Sequence, residues 1–418
     1  MYQDFQRARQ TRESLWHRRR KTIITVFILI IVGLVALLVL RARHQPAKPA
    51  VNNTTPTVVK SPPKADPDIS MLLTGDWIAH DSLNAAAKKA DGSYDYLPLV
   101  KAYQPLFKQT DIKFCNDSIL NGGQALGISG YPKFNSPTEF VTSMGQLGCN
   151  LVNTASNHSF DFTQANIDAS VDAWASVPNM LAVAGENKTQ AEHDQIHYFS
   201  EKGVKFAFLA YTAYSNTTPQ NSYGVNVYSQ AVAAAQIKEA RTNGAQIVIV
   251  SMRWGVEYSP TISAAQTTAA QFLADQGANL VLGHGPHVLQ PVQELTGTSG
   301  NKTLVWYSLG NFVNTQEPPE TLFNGVAFLK IDPKTLAITT TGFVPFYMHF
   351  EWTPAQAKAD DTNARTAVQM YLLENTTQQM INAQQLTTTV EAQKQRLTTT
   401  LNARGQNIPL LTSTQILK

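Results

Sequence analysis

Residues 278–290 read ANLVLGHGPHVLQ, an apolar run over 280–282 that opens into Gly283, His284, Gly285, Pro286 and His287. The run is too short for a helix, and the Gly and Pro after it end it in a turn, so it reads as a buried strand running into a polar loop. Two histidines three apart in such a turn are not neighbours on a helix face. A turn has to aim them, and metal or anion binding is a reason to do so; two surface loop histidines are the plain alternative.

The same texture extends in both directions. Short apolar runs read as strands at 69–73, 112–114, 151–154, 182–184, 206–210, 246–251, 280–282, 303–308 and 325–331, with alanine-rich helical stretches such as 229–243 and 262–276 between several of them. That alternation predicts an α/β architecture with sheets covered by helices. The polar residues that could do chemistry fall just after these strands: Gly75-Asp76, Asn116-Asp117-Ser118, Asn157-His158, Arg253 through Glu257, and Asn311. Ligand sites in α/β sheets lie beyond the carboxyl ends of strands, so these loops are expected to converge on one place.

Asp, Asn and His after parallel strands are the ligand types of a two-metal hydrolytic site, where ions ~3.5–4 Å apart activate water. Asn157 can ligate through its carbonyl while His158 donates a proton to a leaving group. The same pair also reads as a helix cap. Asp76 is either a terminal ligand or a cap, and Asn311 either bonds within the site or shapes its turn.

Of the 418 residues, 43% are hydrophobic and only 15% charged, which excludes a disordered chain and supplies a sizeable core. The formal charge of +3 is unevenly placed: residues 1–48 carry +8, which leaves −5 for the rest. A dedicated nucleic-acid binder would show a basic stripe over its folded part, and none is present. Any grip on an anion must therefore come from a local site.

The positive end flanks an uncharged run at 22–40, TIITVFILIIVGLVALLVL. At 1.5 Å per residue this spans close to the ~30 Å hydrocarbon core and predicts one transmembrane helix. The basic segment 1–21 precedes it, so the amino terminus is expected in the cytoplasm and everything after Leu40 outside. Residues 41–68 are Pro, Thr and Asn rich and read as a tether. Beyond 355 the chain turns Gln, Thr and Ala rich, and 356–418 reads as a helical tail.

The ordered set MLLTGDWIAH, DIKFCNDS, NLVNTASNHSFDF, VIVSMRWGVEY, ANLVLGHGPHVLQ and LVWYSLGNFV resembles the CapA/PgsA family of capsule and poly-γ-glutamate synthesis proteins, over about 69–350. The resemblance implies a four-layer αββα sandwich similar to calcineurin-like metallophosphoesterases. It also implies a membrane-anchored role in synthesis, export or retention of an anionic surface polymer, with a membrane synthase complex as partner. Asp76 matches the Asp of the family's Gly-Asp motif, and Asn157 with His158 match its Asn-Asn-His. His284 and His287 match the first and last histidines of Gly-His-His-Pro-His, with Gly285 in place of the middle one. These assignments make His158 the catalytic candidate and Asp76, Asn157, His284 and His287 the metal candidates.

Two further positions depart from the pattern. The family's Asn-Leu-Glu is here Asn116-Asp117-Ser118, so the bridging carboxylate is missing unless Asp117, one residue early, substitutes. The family's His-Trp-Gly is here Arg253-Trp254-Gly255, and a guanidinium stays protonated and cannot ligate a metal. One divalent ion (Mn, Zn or Mg) or none is the expectation, with Arg253, Asn116, Asp117, Glu257 and Asn311 binding the anionic polymer or envelope substrate. The competing expectation is an active metal-dependent phosphoesterase or amide hydrolase.

Cys115 and Cys149 are the only cysteines. With one at a strand's end and the other at a neighbouring strand's start, ~3.3 Å per residue separates them by roughly 15–20 Å. A disulfide needs Cα atoms within about 7 Å, so two free, buried thiols are expected.

Overall fold

The computed structural model describes residues 68–417; the basic segment 1–21, the expected membrane span 22–40 and all but the last residue of the tether 41–68 lie outside the described residues. Among the described residues no helix is long and apolar enough to cross a membrane.

Fourteen strands are described: β1 Ile69–Trp77, β2 Ile112–Asp117, β3 Leu151–Asn153, β4 Ala182–Ala184, β5 His197–Glu201, β6 Val204–Thr212, β7 Ile247–Arg253, β8 Leu280–His284, β9 Val292–Thr296, β10 Lys302–Trp306, β11 Asn311–Val313, β12 Phe323–Ile331, β13 Ile338–Glu351 and β14 Thr366–Leu372. They form two sheets. One has the order β14-β13-β12-β1-β2-β3-β4, with β11 also paired to β1, and the other the order β5-β6-β7-β8-β10-β9. In the first sheet β1 through β4 run parallel while β12, β13 and β14 are antiparallel; in the second β6, β7, β8 and β10 are parallel.

The sheets face each other. Phe114 of β2 meets Phe208 of β6 with ring centroids 6.1 Å apart, and Trp306 of β10 stacks on Phe343 of β13 at 6.2 Å. Alternate residues of β6 and β7, among them Ala207, Leu209, Val248 and Val250, point the other way and pack with Ala233, Ile237, Ala270 and Leu273 of the helices Gln230–Thr242 and Ala264–Asp275. On the far side of the first sheet, Trp77 meets Phe140 of the helix Thr138–Leu147, and Asp117 meets Trp174 of the helix Gln164–Ala175. The layers are therefore helix, sheet, sheet, helix. The two alanine-rich helices begin where the sequence places them because Ser229 and Ser263 cap them, each hydroxyl accepting a backbone N–H of the first turn.

Each of the nine strands read from the sequence falls on an observed one. Five others were not legible as runs. β5 (HYFSE) and β9 (VQELT) are edge strands with polar outer faces, β11 has three residues, and β13 starts with ITTT and contains Gly342 and Pro345. β14 corrects the reading of 356–418 as a helical tail. It is the edge strand of the first sheet and pairs with β13 from Phe346↔Leu372 to Glu351↔Thr366, so the segment is built into the sandwich. Helices Gln378–Ala383 and Val390–Asn402 follow it.

The cysteines are the second correction. Cys115 and Cys149 form a disulfide with Cα atoms 5.8 Å apart. The strand-length estimate fails because β3 has only three residues and starts level with the third residue of β2, Leu151 opposite Phe114. Asn150 already donates its N–H to Lys113, and Cys149 leaves the helix Thr138–Leu147 through Gly148, so the two sulfurs meet on the helix-facing side of β2. The bridge closes a separation of 34 residues, for which loop-closure entropy gives a stabilisation of about 4 kcal/mol. Replacing both cysteines by serine is expected to lower the denaturant midpoint by a corresponding amount, and dithiothreitol should then have no further effect; an unchanged midpoint would contradict the bridge.

Candidate functional site

The carboxyl ends of β1, β2, β3, β7 and β8 come together at one end of the sandwich, as the sequence pattern requires. Asp76 lies opposite both Asn116 and Asn311, and Arg253 lies opposite His284. Gly75 permits this crowding, since a Cβ there would stand 1.9 Å from the carbonyl oxygen of Gly310.

Asp76 is fully buried and is the hub. Its Oδ1 accepts from Asn116 Nδ2 at 2.7 Å and Ser118 Oγ at 3.1 Å, and its Oδ2 meets His287 Nδ1 at 2.9 Å. Burial works against its ionisation, but the His287 hydrogen bond and the charges of His287, His284 and Arg253 outweigh it and hold the carboxyl below its ordinary value. Burial likewise opposes charge on His287, and its hydrogen bond to Asp76 and the nearby Glu257 carboxylate raise its pKa all the same. The turn aims this ring: Gly285 sits at φ 105° and His287 itself at φ 62°, a conformation that β-carbon sterics disfavour.

Arg253 is only 2% exposed. Its Nε donates to Asn157 Oδ1 at 2.8 Å and its Nη2 to Glu257 Oε1 at 2.9 Å, while Tyr214 lies 5.2 Å from the guanidinium carbon. Glu257 Oε1 also stands 3.7 Å from His287 Nε2. The nearby His287 ring leads the causes that bring the Glu257 carboxyl down to about 2, with Arg253 adding to it. His158 Nδ1 is 2.6 Å from Asp161 Oδ2, and its ring packs edge-on against Phe134.

A cleft of about 550 Å³ opens over this cluster, lined by Asn157, His158, Arg253, Glu257 and His287 among others. The remaining candidates do not line it. Asn116 and Asn311 lie buried behind the cleft and hold Asp76 and His287 in place, Asn311 Oδ1 being 3.0 Å from His287 Nδ1. They are positioning residues, which corrects their reading as substrate contacts. Asp117 is corrected more sharply. Neighbouring strand residues point to opposite faces, so with Asn116 beside Asp76 the Asp117 side chain faces the helices, where its Oδ2 accepts from Asn121 and Trp174. Burial pushes its carboxyl up to about 7. It does not replace the missing carboxylate; Ser118 holds that place beside Asp76.

His284 is fully buried and neutral, its pKa brought down to about 4 chiefly by burial. Its Nε2 is 2.9 Å from Ser251 Oγ, its ring stacks on Phe114, and its Nδ1 has no hydrogen-bond partner. Asp76, Asn157, His284 and His287 were expected as metal ligands, and the arrangement does not fit a pair of divalent ions. Both Asp76 oxygens and His287 Nδ1 are bonded within the cluster, and Arg253 stands among the donors. Among the described residues no three His, Cys, Asp or Glu side chains are grouped to hold an ion.

Sequence reading missed three contributors. Asn153, in β3, donates to Asn116 Oδ1; Asn216 accepts from Asn157 Nδ2 at 3.1 Å; and Arg365 lines the cleft from the carboxyl-terminal segment. Arg365 bonds Glu317 and lies 4.5 Å from the rings of both Phe350 and Trp352. The charges Asp360, Asp361 and Arg365 in a Gln- and Thr-rich stretch were the available signal for it.

A four-layer α/β sandwich with a polar cleft at the carboxyl ends of its parallel strands is the class that these features define. The chain belongs to the family described as bacterial capsule synthesis protein PGA_cap, whose model matches residues 70–316. It is 29% identical over 233 residues to the PGA biosynthesis protein CapA of Bacillus subtilis (strain 168), covering 55% of this chain and 59% of that protein. It is 28% identical over 184 residues to the capsule biosynthesis protein CapA of Bacillus anthracis, covering 43% of each. The chain thus spans about half the length of the curated relatives it matches. Among solved structures it is similar to the NAD nucleotidase NadN of Haemophilus influenzae, at 13% identity and a TM-score of 0.42, over 71% of this chain and 55% of that one. The calcineurin-like phosphoesterase YfkN of Bacillus subtilis gives 16% identity and a TM-score of 0.40, over 66% and 90%.

The Asp76–His287 pair sets a pH dependence. Asp76 contributes stability above its ordinary pKa and down to its lowered one, and His287 contributes fully below ~6.5 and loses that contribution as pH rises through its raised value. Wild-type stability is therefore expected to fall as pH rises above ~6.5 and through the raised value of His287. Asp76→Asn should cost about 3 kcal/mol at pH 6.5, flatten that slope, and move the His287 resonance to a lower titration midpoint by NMR.

Proposed function

We propose that this chain is a membrane-anchored, extracytoplasmic protein that takes part in synthesis, export or retention of an anionic surface polymer of the poly-γ-glutamate kind. Its span 22–40 holds it at the cell membrane beside a synthase, and its cleft acts mainly by binding, with one divalent ion or none. The observation that carries this reading is the buried guanidinium of Arg253. It is fixed by Asn157 on one side and bonded on the other to Glu257, whose side chain is 40% exposed. An incoming carboxylate can take the place of Glu257 at Arg253 and beside His287 without leaving a buried charge unpaired. The names of the Bacillus relatives support the polymer class, and a disulfide accords with an oxidising compartment.

An active phosphoesterase or amide hydrolase is the second reading, favoured by one feature: His158 lines the cleft and is oriented by Asp161, the arrangement of a general acid. The two are separated with full-length protein in nanodiscs. Fluorescent poly-γ-glutamate is expected to bind and to be released by salt, and Arg253→Gln should weaken binding at least tenfold. Equal binding by that variant would sink the proposal. Metal-dependent turnover of a generic phosphodiester that disappears in His158→Ala would establish the second reading.

A further inference from the structure

Two of the residues that depart from the family pattern, Arg253 on the cleft wall and Gly285 in the turn after β8, touch each other. A Cβ built on Gly285 would lie 1.9 Å from Arg253 Nη1, 2.5 Å from its Cζ and 2.7 Å from its Cδ. The guanidinium therefore fills the space that a side chain at position 285 needs. It cannot readily swing away, because Nε and Nη2 are tied to Asn157 and Glu257 and the whole side chain is buried.

We infer that Arg253 is the resident cation of this site, with Gly285 as the residue that makes room for it, so that a protein-borne charge has taken over one of two metal positions. This extends the binding role proposed above by naming what supplies the positive charge. Other features agree with it. The groups gathered on the guanidinium, an amide oxygen and a carboxylate, are oxygen donors of the sort a divalent ion takes. A divalent ion among the same groups would meet a fixed like charge that no change of pH removes. Replacement of the bridging carboxylate by Ser118 fits the same exchange, since one fewer cation needs one fewer anion.

A stability cycle tests the contact itself. Gly285→Ala is measured in the wild-type background and in Arg253→Ala. The strain of alanine at φ 105° is common to both, so any excess loss with arginine present reports the clash. The expected drop in unfolding temperature is at least twice as large with Arg253 as without it; equal drops would overturn the inference. If Gly285→Ala does not fold, the second measurement stands alone: Mn²⁺ titrated into full-length protein and followed by electron paramagnetic resonance. Wild type is expected to bind fewer than two ions, and Arg253→Ala to bind Mn²⁺ at least tenfold more tightly. Two ions on the wild type, or no gain in the variant, would overturn it. Neither measurement involves the polymer, so failure to bind poly-γ-glutamate leaves this inference intact and counts only against the role proposed above.

Discussion

A carboxylate taken wholly out of water dictates the chemistry at this end of the molecule. Asp76 would neutralise itself if left alone in the interior. Instead Asn116, Ser118 and His287 supply hydrogen bonds, and His287 supplies charge. Meeting that demand requires β2 in register beside β1, β11 on the other side of β1, and the strained turn after β8 that carries His287 back across the gap between the sheets. The convergence of loops thus has an energetic reason: each strand end delivers one partner to a charge that the fold has already buried.

A second buried charge answers the first. Arg253 comes from β7 in the opposite sheet and is satisfied by Asn157 and Glu257. The site is a chain of alternating signs, Asp76, His287, Glu257 and Arg253, that runs from the closed interior to the cleft. Only Glu257, between the two cations, is substantially exposed. Exchange with a ligand is consequently easiest at Glu257.

Much of this was legible because parallel strands buried on both faces leave continuous apolar runs, and the residue types that follow them are chemically unusual. Asp76, Asn157, His158, Arg253, Glu257 and His287 all stood out on that ground, and all meet in or beneath the cleft. Parity was harder to judge. Whether Asn116 or Asp117 faces the site depends on register, and only the pairing Asp76↔Asn116 decides it. The disulfide hid for a related reason: strand length says nothing about stagger, and a three-residue β3 places Cys149 far nearer Cys115 than a longer strand would. β14 was harder to see because it is an edge strand whose alternate residues are only half-buried, so the segment carries no continuous apolar run to mark what Arg365 packs beside.

That edge strand bears on how the molecule can be divided. A chain ended at 355, where the composition changes, would lose β14 and Arg365 together. β13 would then present a long row of unpaired backbone donors and acceptors to solvent, a template for pairing with another copy. The carboxyl-terminal segment is thus at once the wall of the cleft and the seal on the sheet, and a fragment lacking it would aggregate for reasons unrelated to what the cleft holds.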